Sequence, residues 1–116
     1  MEAENKATVA SLLMLGAGGK TEEAFSKCIG AGLKRHNPFF AGYADALKKA
    51  IRDNFDQNPN KVLDIKKVVA EGNLVAVRSH VKMRPEDPGN VVTHFFRFEN
   101  GLIVEMWDSL ACAGSP

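Results

Sequence analysis

Chemistry in this chain would begin at His94 and Asp108. Two segments rich in β-branched and aromatic residues, Val91 to Glu99 and Leu102 to Leu110, flank a turn at Asn100-Gly101. Alternate residues of a strand share a face. The even row of the first segment is Val92, His94, Phe96, Phe98, and that of the second is Leu102, Val104, Met106, Asp108, Leu110. The odd rows, Thr93, Phe95, Arg97 and Ile103, Glu105, Trp107, Ser109, are less apolar. His94 and Asp108 therefore interrupt two rows that face a core. A lone carboxylate away from water is costly, so such a group is partnered, protonated or put to use. A buried Asp-His pair meets that cost and can also move a proton. The same pair serves equally as a satisfied core contact that fixes strand register.

Turn geometry bears on whether the two groups meet. A two-residue turn at Asn100-Gly101 would pair Glu99 with Leu102 and set His94 beside Trp107. A three-residue loop, with Gly101 as a left-handed bulge residue, keeps the even positions together. The hydrophobic pattern favours the longer loop. It predicts His94 and Asp108 on neighbouring strands, on one face, a diagonal step apart.

Other reactive side chains carry weaker signals. His36 lies in Arg35-His36-Asn37-Pro38-Phe39-Phe40, a polar-then-aromatic loop whose proline suits a turn or pocket rim. His80 shares a strand face with Ala76, Arg78 and Lys82, opposite the more apolar Val75, Val77, Ser79, Val81 and Met83, and reads as a surface or dimer-contact residue. Cys28 and Cys112 are far apart and in no metal or redox spacing, which predicts two free thiols in a reducing cytoplasm. GxGxxG, P-loop, HExxH, paired CxxC and nucleophile-elbow motifs are all missing from the sequence. The carboxylate and histidine spacings suggest no metal site. The expectation is proton transfer without a cofactor.

The elements that must position these groups divide the chain in two. Ala7, Val9, Ala10, Leu12, Leu13 and Met14 fit a helix stopped by Gly16, Gly18 and Gly19. Thr21 is the predicted N-cap of a short second helix that breaks by Gly30 or Gly32. Ala46, Leu47, Ala50, Ile51 and Phe55 mark a third, ending in Asp56-Gln57-Asn58-Pro59. From Val62 onward the chain reads as strands: Val62 to Ala70, Leu74 to Met83, and the final hairpin. Helices followed by strands argue for an α+β fold with an antiparallel meander. The 116 residues form one domain, with 111–116 as a tail. A net charge of +1 with interleaved signs argues against nucleic acid as a partner. No segment has the length of a membrane span, and the acidic Glu2 and Glu4 before the first apolar run argue against a signal peptide.

Three stretches taken together resemble the SnoaL-like polyketide cyclase family, within the nuclear-transport-factor-2-like superfamily of cone-shaped α+β folds. They are His36-Asn37-Pro38, Val69 through His80, and Phe96-Arg97-Phe98-Glu99-Asn100-Gly101-Leu102-Ile103-Val104-Glu105-Met106-Trp107-Asp108. The resemblance implies a curved antiparallel sheet closed by N-terminal helices, and homodimerisation through the outer sheet face, where Arg78, His80, Phe95 and Trp107 would lie. It further implies an intramolecular aldol condensation in which an aspartate on the last strand is the general base and a histidine on the preceding strand assists. Asp108 and His94 stand at those places. His36, Phe39, Tyr43, Phe96, Met106 and Trp107 make up the expected substrate-binding set, although strand parity turns Trp107 away. The sequence departs from relatives in placing His94 where many carry aspartate, and Arg78 or Met106 where many carry histidine.

The expected ligand is a small, largely apolar carbonyl compound. Competing functions are a non-catalytic ligand-binding or dimeric interaction module on the same cone, and an isomerase or dehydratase, with Tyr43 as an oxyanion donor.

Overall fold

The computed structural model describes residues 2–36 and 42–112. In chain order the elements are α1 (Glu2–Ala17), α2 (Thr21–Cys28), β1 (Ile29–His36), β2 (Gly42–Tyr43), α3 (Ala44–Gln57), β3 (Val62–Glu71), β4 (Leu74–Lys82), β5 (Asn90–Glu99) and β6 (Leu102–Cys112). All six strands join one curved, unclosed sheet in the order β2-β1-β6-β5-β4-β3. The helices pack on its concave face, so the fold is the cone-shaped α+β architecture anticipated above.

From β3 to β6 the sheet is the expected antiparallel meander. The strands β1 and β2, however, fall where the sequence reads as a helix ending and a loop. Moreover, β1 joins β6 in parallel, with Arg35 opposite Met106 and His36 opposite Trp107. Its glycines explain the miss: Ile29-Gly30-Ala31-Gly32 has little intrinsic strand preference. Packing compensates, because Gly30 lies so close to β6 that a Cβ there would meet Val104 Cγ1 at 3.1 Å. Two further expectations are corrected. Lys20, not Thr21, is the N-cap of α2, and Thr21 Oγ1 is buried without a partner among the described residues. The last strand also outruns its predicted end, since Ala111 and Cys112 pair with Val91 and Asn90 instead of starting a tail.

The core forms where the helices cross the sheet. Val9 and Leu12 of α1 and Leu47 of α3 meet Val75, Val77, Phe96, Phe98, Ile103 and Met106, all buried. Gly16 lets α1 approach α3, with Ile51 Cγ2 at 3.4 Å from where a Cβ would stand. Burying such side chains contributes roughly 1.5–3 kcal/mol each and holds the helices over the sheet. Glu2 ties the other end of α1 down, its Oε2 accepting from Gly72 N–H at 2.8 Å in the β3–β4 turn. None of the helices among the described residues is long and apolar enough to cross a membrane.

Candidate functional site

The final hairpin decides which groups meet. Glu99 pairs directly with Leu102, so the connection is the two-residue turn, with φ of 52° at Asn100 and 78° at Gly101. Both central residues are left-handed, as a type I′ turn requires. The expected three-residue loop is thus corrected. Continued without interruption, this turn would set His94 against Trp107. A bulge intervenes: Phe98 pairs with Ile103, but Arg97 pairs with Glu105, leaving Val104 as the extra residue. One extra residue reverses the parity of everything beyond it. Accordingly Ile103 is fully buried at the start of β6, in place of the expected Leu102 and Val104, and Met106 and Asp108 face inward after it. His94 and Asp108 stand directly opposite each other and not a diagonal step apart.

Both line a cavity of about 400 Å³ between the sheet and the helices. Leu12 and Leu13 of α1 and Leu47 and Ile51 of α3 form its apolar side, while Phe96, Met106, His94 and Asp108 belong to the sheet side. The expected pocket residues Phe96 and Met106 are therefore present.

His94 is 8% exposed and stacks on Phe96, with ring centroids 5.4 Å apart and planes 11° from parallel. Burial disfavours its charged form and lowers its pKa to about 4; the Asp108 charge opposes this, and Arg35 and Lys61 reinforce it. The ring is neutral at pH 7, with one N–H to donate. Its Nδ1 is buried without a partner among the described residues.

Asp108 meets a partner that sequence reasoning missed. Arg35 of β1 donates from Nε to Oδ1 at 3.1 Å and from Nη2 to Oδ2 at 2.7 Å, with side chains 16% and 10% exposed. This two-pronged geometry is the strong form of a carboxylate ion pair. The expectation that a pairing with His94 meets the cost of burying Asp108 gives way to an arginine clamp. A signal existed: Arg35 follows Leu33 by two residues, and Leu33 is fully buried, so an inward Arg35 follows once β1 is read as a strand. Lys61 is the second omission. It lines the cavity, its Nζ donates to Asn54 Oδ1 at 2.7 Å, and burial lowers its pKa.

The remaining expected contacts lie elsewhere. His36 and Trp107 stack on each other, centroids 5.2 Å apart, and His36 Nε2 lies 2.7 Å from Glu105 Oε2, which places them on the convex face. Tyr43 is 64% exposed and does not line the cavity, so it offers no oxyanion donor there. Phe39, with Asn37, Pro38 and Phe40, lies outside the described residues. His80 faces outward as expected, its ring 2.8 Å from Pro88 O, in a shallower depression of about 520 Å³ with Arg78. Cys28 is a free, buried thiol whose pKa burial raises, which makes it inert.

A cone of helices on a curved sheet, enclosing a largely apolar cavity with a few polar groups, has the form common to small-ligand pockets. The SnoaL-like domain profile matches residues 20–106, and the chain belongs to that family. Its fold is similar to that of AclR from Streptomyces galilaeus, provisionally named a hydroxylase, at 17% identity and a TM-score of 0.81 over 95% of this chain and 90% of that one. IdmH from Streptomyces antibioticus, provisionally named a polyketide cyclase, is similar at 17% identity and a TM-score of 0.78, with 91% of each chain covered. A SnoaL-like protein of unknown function from Burkholderia thailandensis E264 aligns at 11% identity and a TM-score of 0.80, covering 96% of this chain and 97% of that one. At such identities the likeness concerns the fold. No functionally curated protein matches the sequence.

Proposed function

We propose that this protein is an enzyme catalysing acid–base chemistry on a small carbonyl compound in the cavity, of the intramolecular aldol type. The observation that carries the reading is the direct pairing of His94 with Asp108 on the wall of one largely apolar chamber. The Asp108 carboxylate takes a proton from the carbon beside a carbonyl, leaving an enolate. Neutral His94 donates its N–H to the enolate oxygen; being uncharged, it polarises without giving up its proton. The enolate carbon attacks a second carbonyl of the same molecule, and the resulting alkoxide recovers the proton from Asp108. Arg35 fixes the orientation of the carboxylate, and the apolar side of the chamber limits water. No step calls for a cofactor.

The arginine clamp favours one alternative, in which Asp108 is structural and the cone only binds its ligand. Deuterium uptake separates the two. Small ketones that bind are incubated with the protein in D₂O, and exchange beside the carbonyl is followed by NMR. Faster exchange that falls at least a hundredfold in Asp108→Asn and about tenfold in His94→Gln, with binding and folding retained, supports catalysis. Exchange no faster than in buffer, for ketones shown to bind, ends the enzyme reading.

The convex face supports a second part of the proposal, a homodimer. Phe95 is 48% exposed, Val69 49% and Leu74 42%, and Phe95 pairs across the strands with Trp107. A cluster of this kind on a sheet face matches the aromatic enrichment of interface centres.

A further inference from the structure

Among the described residues, the charges around the cavity do not balance. Arg35 and Asp108 neutralise each other through two hydrogen bonds, and His94 is uncharged. Lys61 remains. Its ammonium is half-buried at the cavity wall, and its one side-chain partner among the described residues is the neutral amide oxygen of Asn54, 2.7 Å away. Among the described residues no carboxylate offsets the lost hydration, and burial pushes its pKa below the usual lysine range. Asn54 is positioned in turn: among the described residues its Nδ2 has only the thioether of Met83 as a partner, at 3.9 Å, and such a sulfur is a weak acceptor. Nζ and Nδ2 together therefore offer N–H donors that acceptors among the described residues do not use up, on the wall of a chamber whose other polar lining is Asn90 and the Arg35, His94 and Asp108 group.

A lysine left in this state costs stability, because a partly desolvated charge without a counter-ion is unfavourable. An anion supplied by the ligand would remove the cost. We propose that Lys61 and Asn54 form a subsite for one carboxylate group, so that the cavity takes monoanionic ligands: an apolar body carrying a single acid group. This deepens the proposed function and rests on it for the place of the reaction, with the acid held at Lys61 while the carbonyl reaches Asp108 and His94. Arg35 is not the anion site, because its fork already grips Asp108.

The test compares acids with their uncharged esters in the intact protein. Calorimetry would measure binding of 4-phenylbutanoate, decanoate and 1-naphthylacetate, each against its methyl ester, at pH 7. The expected result is an acid preference of at least tenfold for one or more pairs. Lys61→Met should abolish it while leaving ester affinity within about twofold, and Lys61→Arg should keep part of it. Lys61→Met should also raise the urea midpoint, since it removes an uncompensated charge; a lysine that merely braces the fold would lower it. Equal affinity of acids and esters, no binding of any acid, or an acid preference that survives Lys61→Met would overturn the proposal. Deuterium exchange is read in the parent protein on neutral ketones, which carry no acid group for Lys61, so failure here and failure of the enzyme reading are told apart.

Discussion

Arg35 of the first strand grips both oxygens of Asp108 on the last, across 73 positions of sequence. The two strands run parallel, and this parallel pairing is what brings the guanidinium to the carboxylate. The chamber is thereby held together by the group that would do its chemistry.

Removing the guanidinium should be expensive. Arg35→Met leaves Asp108 charged on a largely apolar wall. Breaking a fully buried pair costs about 3–5 kcal/mol, and the slight exposure of this one should bring the loss to the lower end of that range. Arg35→Lys keeps the charge but loses the fork, and should recover roughly half of the loss. Urea denaturation of both variants at pH 7 measures the difference; equal stability of Arg35→Met and the parent chain would show that the pair contributes nothing.

The buried imidazole makes stability depend on pH. In the folded chain His94 protonates only near pH 4, whereas in the unfolded chain it does so near 6.5. Between those values the unfolded state holds the extra proton, so stability is greatest above about pH 6.5 and is lost as the pH falls towards 4. A shift of this size corresponds to about 3 kcal/mol. The stability of His94→Gln should fall less steeply over the same window, and a parallel pH profile for the two proteins would refute the assignment.

Two glycines should respond unequally to alanine. Gly101, with φ of 78°, has nothing within 4 Å of an added Cβ, so Gly101→Ala should cost only the backbone term of about 1 kcal/mol. At Gly89, with φ of 83°, the same Cβ would stand 2.7 Å from the carbonyl oxygen of Val81 and 2.9 Å from the His80 ring. Gly89→Ala should therefore cost at least about 1 kcal/mol more, read as a lower thermal midpoint.

Phe95→Lys tests the proposed dimer. A charge at the centre of the convex apolar cluster should turn a sedimenting dimer into a monomer while circular dichroism stays unchanged. A monomeric parent chain would remove the dimer from the proposal.

Much of the architecture is written in local patterns. The α3 stripe of Leu47, Ala50 and Ile51, the alternation in Val75, Val77, Ser79 and Val81, and the turn residues Asn100-Gly101 each express a short-range rule of period or backbone preference. Those rules suffice for three helices, four strands and an inward-facing His94, and with the glutamate-asparagine-glycine hairpin they indicate the family. They do not reach β1, whose glycines weaken its propensity and whose partner lies at the other end of the chain.

Nor does local pattern reveal the bulge at Val104. A bulge adds one residue without an obligatory sequence mark, yet it reverses every later side chain on that strand, and here it sets Asp108 opposite His94. The alternation of apolar residues by itself pointed to a shared face for these two, though the loop expected to deliver it is replaced by the bulge. Only the tertiary structure decided that they stand directly opposite, that Arg35 clamps the carboxylate, that Lys61 has no counter-charge among the described residues, and that His36 and Trp107 turn outward. Each of these depends on contacts between distant segments, which periodicity along one segment cannot encode.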